Sequence, residues 1–374
     1  MSCIDFTDLK ELVEINSWTM NKEGVDRLGE KMSNWMMMLG FQSEVFERKE
    51  IGNHLLFCSP TVKDQPRLLL IGHLDTVFPP GVFEGFSEDE HWVYGPGTCD
   101  MKGGNFVALS ALRNIMKKSG KICNIDFFMV SDEETGSDDS KHITRQLAKN
   151  YQACLDFESA GPDHEVVNGR KGVATYCIEL QGVAAHAGNN YLQGRDANLA
   201  AAKLLILLTE QSNIDEGTTV NVGIINGGTS TNTISPNATL MVEARFTQVS
   251  EQQRVLSAIS SAIEQHGVEG VTGKLSGGLQ RDVMTPSPEQ EQFIDLIGKI
   301  IGYPLKTEQR GGVSDANITS GAGLPTLDGF GPYGDGDHTE FERASKRSFN
   351  RRITEVTAIF QHFNQGSLST FDSL

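Results

Sequence analysis

The sequence predicts an α/β protein interrupted by a smaller α+β domain. Three observations lead there. Aliphatic strand patterns alternate with amphipathic helices through the first 160 residues. Near residue 168 the pattern changes to period-two alternation, as in a sheet with one solvated face. After "RDVMTPSP" the helix-strand alternation resumes to the C-terminus. The expected organisation is an α/β sheet flanked by helices over residues 1–168 and 283–374, with 169–282 inserted.

Each element has its own signal. "DLKELVEI" and "GVDRLGEKMSNWMMMLG" have helical apolar spacing, the second stopped at Gly40. "RLLLIGHLD" is a run of aliphatics that turns polar at its C-terminal end, the mark of a buried strand. In "GGNFVALSALRNIMKKSG", Phe106, Leu109, Leu112 and Met116 share one helical face and Gly120 ends it. "CNIDFFMVSDEE" is the next strand. The inserted region begins with the alternating "GVATYCIELQGVAAHAG". It continues with helix "ANLAAAKLLILLTEQ", strands "TTVNVGIING" and "ATLMVEARFT", and a helix around "SEQQRVLSAISSAIEQHG".

Composition narrows the function. The chain has 374 residues and 38% hydrophobic content, enough to build two cores. A net charge of −17 without a basic patch argues against nucleic acid. No apolar stretch is long enough to span a bilayer. "MSCIDFTDLKELVEI" lacks the basic and apolar regions of a secretory signal. Six scattered cysteines with no CxxC pair fit a reduced cytoplasm rather than a disulfide framework.

Ligands of open α/β sheets bind at the carboxyl ends of strands. Metal-ligating side chains recur at such positions here. "GHLD" supplies His73 and Asp75, "GPGTCDMKGG" supplies Asp100, and "SDEETGS" supplies Glu133 and Glu134. "DFESA" supplies Glu158 and "GDGDHTEFE" supplies His338. Any one of these has an ordinary explanation as a turn or a solvated loop. Five in one domain, mixing imidazole and carboxylate, suit zinc, with cobalt or manganese as substitutes. Adjacent Glu133 and Glu134 would repel unless a cation lay close by.

The segments "GHLDTVFPPG", "GPGTCDMKGG", "DEETGS", "FES", "GGTSTNTISPNA" and "GFGPYGDGDHTEFE" resemble, in order and spacing, those of the M20 metallopeptidases. "HLDTVF" and "LVEINSWTMNKEGVD" resemble the glutamate carboxypeptidases of the carboxypeptidase G2 type. The resemblance implies a zinc-exopeptidase-like catalytic domain, its mixed sheet flanked by helices, with two zinc ions per subunit. It gives His73 and Glu158 to one ion, Glu134 and His338 to the other, and makes Asp100 the bridge. It also implies that Asp75 orients His73, that Glu133 is the general base, and that the Asp100–Met101 peptide bond is cis.

The same resemblance makes the inserted domain a lid and dimerisation domain that closes over substrate. His186 becomes an oxyanion-stabilising group, often supplied across a dimer interface. Asn232 and Arg245 become substrate contacts, an Arg near Asn suiting a free C-terminal carboxylate. Arg281 aligns with a side-chain contact or is an exposed linker residue, and Gly311 and Gly312 offer backbone contacts. Cys99 stands where the family more often has a small apolar residue. It is either a packing residue or a site of thiol sensitivity.

The expected enzyme is a homodimeric dizinc hydrolase that releases a C-terminal amino acid, glutamate first, from a small peptide or N-acyl amino acid. Deacylation of the acetylornithine, succinyl-diaminopimelate or aminoacylase type is the alternative. A non-catalytic relative would have lost the base or a ligand residue. A dinucleotide-binding enzyme would show the GxGxxG order, which "GPGTCDMKGG" lacks.

Overall fold

The computed structural model describes residues 4–366. Two compact units make up the chain. Among the described residues, one comprises 4–169, 286–310 and 314–366, and the other 170–285 and 311–313.

The first unit is built on a six-stranded mixed sheet. In spatial order its strands are Gln42–Phe46, His54–Cys58, Ile125–Val130, Leu68–His73, Ala153–Asp156 and Thr326–Leu327. The first two pairings are antiparallel. The remaining three are parallel. Leu68–His73 is buried along its whole length, as its continuous aliphatics require of a central strand. Leu68 and Leu70 join a core with Phe127, Met129, Leu109 and Phe360, while Leu69 and Ile71 join a second core with Phe128, Val130 and Tyr151. Apolar packing on both faces fixes the register, since a one-residue slip would exchange the two faces. Each fully buried Leu or Phe contributes about 1.5–3 kcal/mol.

The central parallel strands all end at the same edge, and His73, Glu133, Glu134 and Glu158 lie at or just beyond those ends. The helix Lys102–Ser119 starts there too and stops at Gly120, which is left-handed with φ 71°. Its N-terminus packs so closely on the strand leading to Glu158 that a Cβ on Gly104 would lie 1.8 Å from the Phe157 carbonyl oxygen. Only glycine fits that approach. A second sheet of short strands, ordered Gly334–Asp335, Arg343–Ser345, Trp92–Tyr94, Ser87–Glu88, anchors the segment carrying His338. These strands are too short to show periodicity in the sequence.

The second unit is a four-stranded antiparallel sheet ordered Thr219–Gly227, Asn237–Phe246, Gly172–Gln181, Thr272–Arg281. Helices Ala197–Thr209 and Val249–Ala262 share its core, which contains Tyr176, Ile178, Leu240, Val242, Leu204 and Ile259. Thr272–Arg281 is not evident from the sequence. It is a mostly exposed edge strand with Gly277 and Gly278 at its centre, so glycine and polarity hide its period. Among the described residues, no helix is long and apolar enough to cross a membrane.

Candidate metal centre

In the first unit, residues from five separate segments converge. His73 Nδ1 lies 2.9 Å from the Asp75 carbonyl oxygen and 3.5 Å from its carboxylate Oδ1. The carbonyl contact is the shorter, so the main chain of Asp75 is the nearer partner that fixes the ring, and Nε2 faces the site. That Nε2 is 2.9 Å from Asp100 Oδ1 and 3.5 Å from Glu158 Oε1. On the other side, His338 Nε2 is 3.3 Å from Asp100 Oδ2 and 3.1 Å from Glu134 Oε2. Asp100 thus turns one oxygen to each histidine. His338 adopts a left-handed backbone, φ 61°, a conformation uncommon for a residue with a side chain. The Asp100–Met101 peptide bond is cis.

The Asp75 carboxylate makes its nearer contacts away from His73. Its Oδ1 accepts from the Glu133 N–H at 3.3 Å and its Oδ2 from the Glu134 N–H at 3.2 Å. Thr19 Oγ1 donates to Oδ2 at 2.7 Å. Asp75 therefore holds the 3₁₀ turn Glu133–Thr135 that presents both glutamates. Asn105 fixes the backbone of His73 by donating from Nδ2 to its carbonyl at 2.7 Å.

The electrostatics are those of a cation site. Burial opposes charging of His73, but the carboxylates of Asp100, Asp75 and Glu158 outweigh it and hold its pKa well above the ordinary range. Asp100 and Glu134 raise His338 to about 11. Burial, reinforced by the Asp100 charge, pushes Glu158 up to about 8 and raises Glu134 as well. Burial also opposes ionisation of Asp100, yet His338 and His73 hold its carboxyl below the usual range.

These residues fit a bound metal. One ligand atom from each of His73, Asp100 and Glu134 lies within 4.8 Å of the others, and the same holds for His73, Glu133 and Glu158. Glu134 Oε1 is buried without a hydrogen-bond partner, the arrangement expected of an oxygen meant for a cation. Two residues sequence reasoning did not single out stand just outside this set. Thr19 is one. The other is Glu342, whose carboxylate accepts from the N–H groups of Gly97, Cys99 and Asp100 at 2.9–3.0 Å. Burial pushes Glu342 up to about 7. Cys99 is wholly buried, and its thiol is raised well above the ordinary value by burial, then by Asp337 and Glu342. It is a packing residue in an unreactive setting.

The residues expected to meet substrate separate into two groups within the second unit. The first contains His186 and Asn232, both exposed and joined by the Ala187 N–H donating to the Asn232 carbonyl at 2.9 Å. His186 Nδ1 accepts from the N–H groups of Gly188 and Asn189 at 3.2 and 3.1 Å, so the neutral ring carries its proton on Nε2. The second group lies at the other end of the sheet, where Arg245 and Arg281 both pair in register with Val173. Eight register steps separate Val173 from Gln181, about 27 Å along the strand, and His186 lies beyond Gln181. The expected pairing of Arg245 with Asn232 therefore does not form within one chain.

Arg245 grips Glu243 side-on, Nε to Oε1 at 2.8 Å and Nη2 to Oε2 at 3.2 Å, and donates from Nη1 to the Gly311 carbonyl at 3.0 Å. Arg170 Nη1 donates to the Gly312 carbonyl at 3.0 Å. Arg281 is fully buried, which excludes the exposed-linker reading.

Residues 69–362 match the model of Peptidase family M20/M25/M40. The chain is 27% identical to carboxypeptidase G2 of Pseudomonas sp. (strain RS-16), covering 89% of this chain and 82% of that protein. It is 25% identical to a succinyl-diaminopimelate desuccinylase of Rickettsia bellii (strain RML369-C), covering 83% and 85%. Its fold superposes with a TM-score of 0.79 on a tripeptidase of Staphylococcus aureus subsp. aureus Mu50, at 21% identity and covering 97% and 100% of the two chains. With most of its length matched, this chain belongs to peptidase family M20/M25/M40 and is a hydrolase.

Proposed function

We propose that the protein is a dinuclear zinc hydrolase that cleaves an amide bond to release a C-terminal amino acid, glutamate first. The observation that carries this reading is the division of Asp100, Oδ1 toward His73 and Oδ2 toward His338. Each histidine has its own glutamate, Glu158 on one side and Glu134 on the other. Two half-sites sharing one carboxylate would hold two cations. Imidazole and carboxylate donors suit zinc, with cobalt or manganese as substitutes.

When bound, the zinc pair supplies Lewis-acid charge that makes a water acidic near neutral pH. Glu133 takes the proton from that water and passes it to the leaving nitrogen as the amide bond breaks. Asp75 serves this step by fixing the backbone of Glu133. His186, with its proton on Nε2, donates to the oxyanion that develops on the attacked carbonyl. The bonds to Glu243 and Gly311 use three of the five N–H groups of Arg245, and the other two are proposed to meet a substrate carboxylate. The Gly312 turn lies at the same end of the sheet and completes that subsite, while Arg281, paired in register with Val173 there, is buried.

The second unit supports a homodimer. A substrate that engages Arg245 and also His186 with Asn232 must take the second pair from another copy. The exposed apolar residues Leu199 and Ile206 on one helix, and Ile224 and Ile225 on the edge strand Thr219–Gly227, offer a surface for that copy. Free cysteines at Cys58, Cys123, Cys154 and Cys177 suit a reducing cytoplasm.

The relatives frame the substrate question, since carboxypeptidase G2 and succinyl-diaminopimelate desuccinylase are named for different leaving groups. Deacylation of an N-acyl amino acid is the second reading. A zinc-loaded panel of N-acyl-glutamates, a folate-type glutamyl amide, other N-acyl amino acids, acetylornithine and succinyl-diaminopimelate separates them, with the freed amine identified by mass spectrometry. Dominant, chelator-sensitive release of glutamate supports the carboxypeptidase reading. Dominant release of ornithine or diaminopimelate replaces it with the deacylase. No turnover with both metals bound refutes both.

A further inference from the structure

We propose that Glu342 is a positioning residue that aims the shared carboxylate of Asp100 at both histidines. This inference rests on the dinuclear reading above. Glu342 is 1% exposed and lies 242 residues along the chain from Asp100. Its Oε2 accepts the N–H of Gly97 at 2.9 Å, and its Oε1 accepts those of Cys99 at 2.9 Å and Asp100 at 3.0 Å. A carboxylate buried so close to another acid is costly unless strong donors meet it. Three backbone N–H groups converging on one anion do so.

The turn is shaped for this grip. Gly97 is left-handed with φ 79°, and Thr98 closes back on the Gly95 carbonyl through Oγ1 at 2.8 Å and its N–H at 3.1 Å. The N–H groups of Gly97, Cys99 and Asp100 therefore face one concave side, where the Glu342 carboxylate sits. The short segment that supplies Glu342 also supplies His338, whose Nε2 is 3.3 Å from Asp100 Oδ2. One segment thus holds Asp100 twice, at its backbone N–H and at its carboxylate. Rotation of the turn would swing one oxygen of Asp100 away from its histidine. Groups that orient a ligand in this way change metal affinity or activity by about 10–100-fold when removed.

The test is Co2+ titration of metal-free wild-type protein, Glu342→Gln and Glu342→Asp, followed by calorimetry and visible absorption. The Gln variant turns an N–H₂ toward an N–H that needs an acceptor. It is expected to bind at least one Co2+ about 10–100-fold more weakly and to show an altered absorption band, with the Asp variant intermediate. Unchanged affinity, stoichiometry and spectrum in the Gln variant overturn the inference even if turnover falls. If neither variant folds, amide hydrogen exchange of metal-free wild-type protein decides. Protected Gly97, Cys99 and Asp100 amides support the inference, and rapid exchange at all three overturns it. A wild-type protein that binds no metal pair refutes the dinuclear reading together with this one, whereas a variant that matches a two-metal wild type refutes only the role of Glu342.

Discussion

Around Asp100, residues from five distant segments come together, whereas in the second unit residues from neighbouring strands move apart. His73, Glu134 and Glu158 follow parallel strands, and parallel strands deliver their C-terminal ends to one edge. His186 and Arg245 belong to antiparallel neighbours, Gly172–Gln181 and Asn237–Phe246. One lies beyond the end of its strand and the other one residue before the end of its own, so the two face opposite edges. Topology decides which side chains meet. The parallel strands bring His73, Glu134 and Glu158 to one edge, while the antiparallel sheet sets His186 and Arg245 at opposite edges.

The largest expected effect tests the converging region. Glu133→Gln keeps the fold and the hydrogen bond from its N–H to Asp75, but removes the group proposed to carry the proton. Turnover is expected to fall by about 10²–10⁴-fold while metal content stays at the wild-type level. Steady-state kinetics on metal-loaded protein, with elemental analysis of the same sample, check both halves. Near-normal turnover would mean that the cluster binds metal without Glu133 acting as its base.

The diverging region admits a different test. His186→Ala and Arg245→Ala are each expected to be severely impaired alone. When the two variants are unfolded together, refolded and mixed, half of the dimers formed at random are heterodimers with one intact composite site. Activity should recover to about a quarter of the wild-type value. No recovery from a confirmed heterodimer would place both residues in separate roles and remove the main argument for a composite site.

The two regions also differed in how far the sequence revealed them. His73, Asp100, Glu134, Glu158 and His338 were legible because each stands beside a strong local signal, an aliphatic run or a glycine-rich turn. The structure brings all five together. Asn232 and Arg245 looked like partners because only 13 positions separate them in the sequence, but a ten-residue strand carries the chain from one edge of the sheet to the other between them. Glu342 left no local signal, because its partners at Gly97, Cys99 and Asp100 are backbone N–H groups remote in sequence. The edge strand Thr272–Arg281 was obscured by its central glycines and polar exposure. Local chemistry is readable where a side chain announces it, and is hidden where the partner is main chain.

The smallest expected effect separates acid loss of metal from acid loss of the fold in the first unit. In the proposed dinuclear site, metal binding would require His73 and His338 to give up protons held by the surrounding carboxylates, so apparent affinity should rise with pH. His164 lies in the same unit but outside the cluster. Burial, then the charges of Arg351 and Arg352, lower its pKa from 6.5 to about 4. A histidine depressed in the folded state contributes stability that is present above its unfolded value and lost as pH falls through its folded value. Metal-free protein should therefore lose stability between pH 6.5 and about 4. His164→Asn tolerates the left-handed backbone at this position, φ 64°, and removes the titrating ring. Its thermal midpoint should decline less steeply over that interval, while its Co2+ affinity follows the wild-type pH profile. Equal steepness in both proteins would assign the acid sensitivity to the metal cluster itself, and the two regions of the first unit would then titrate as one.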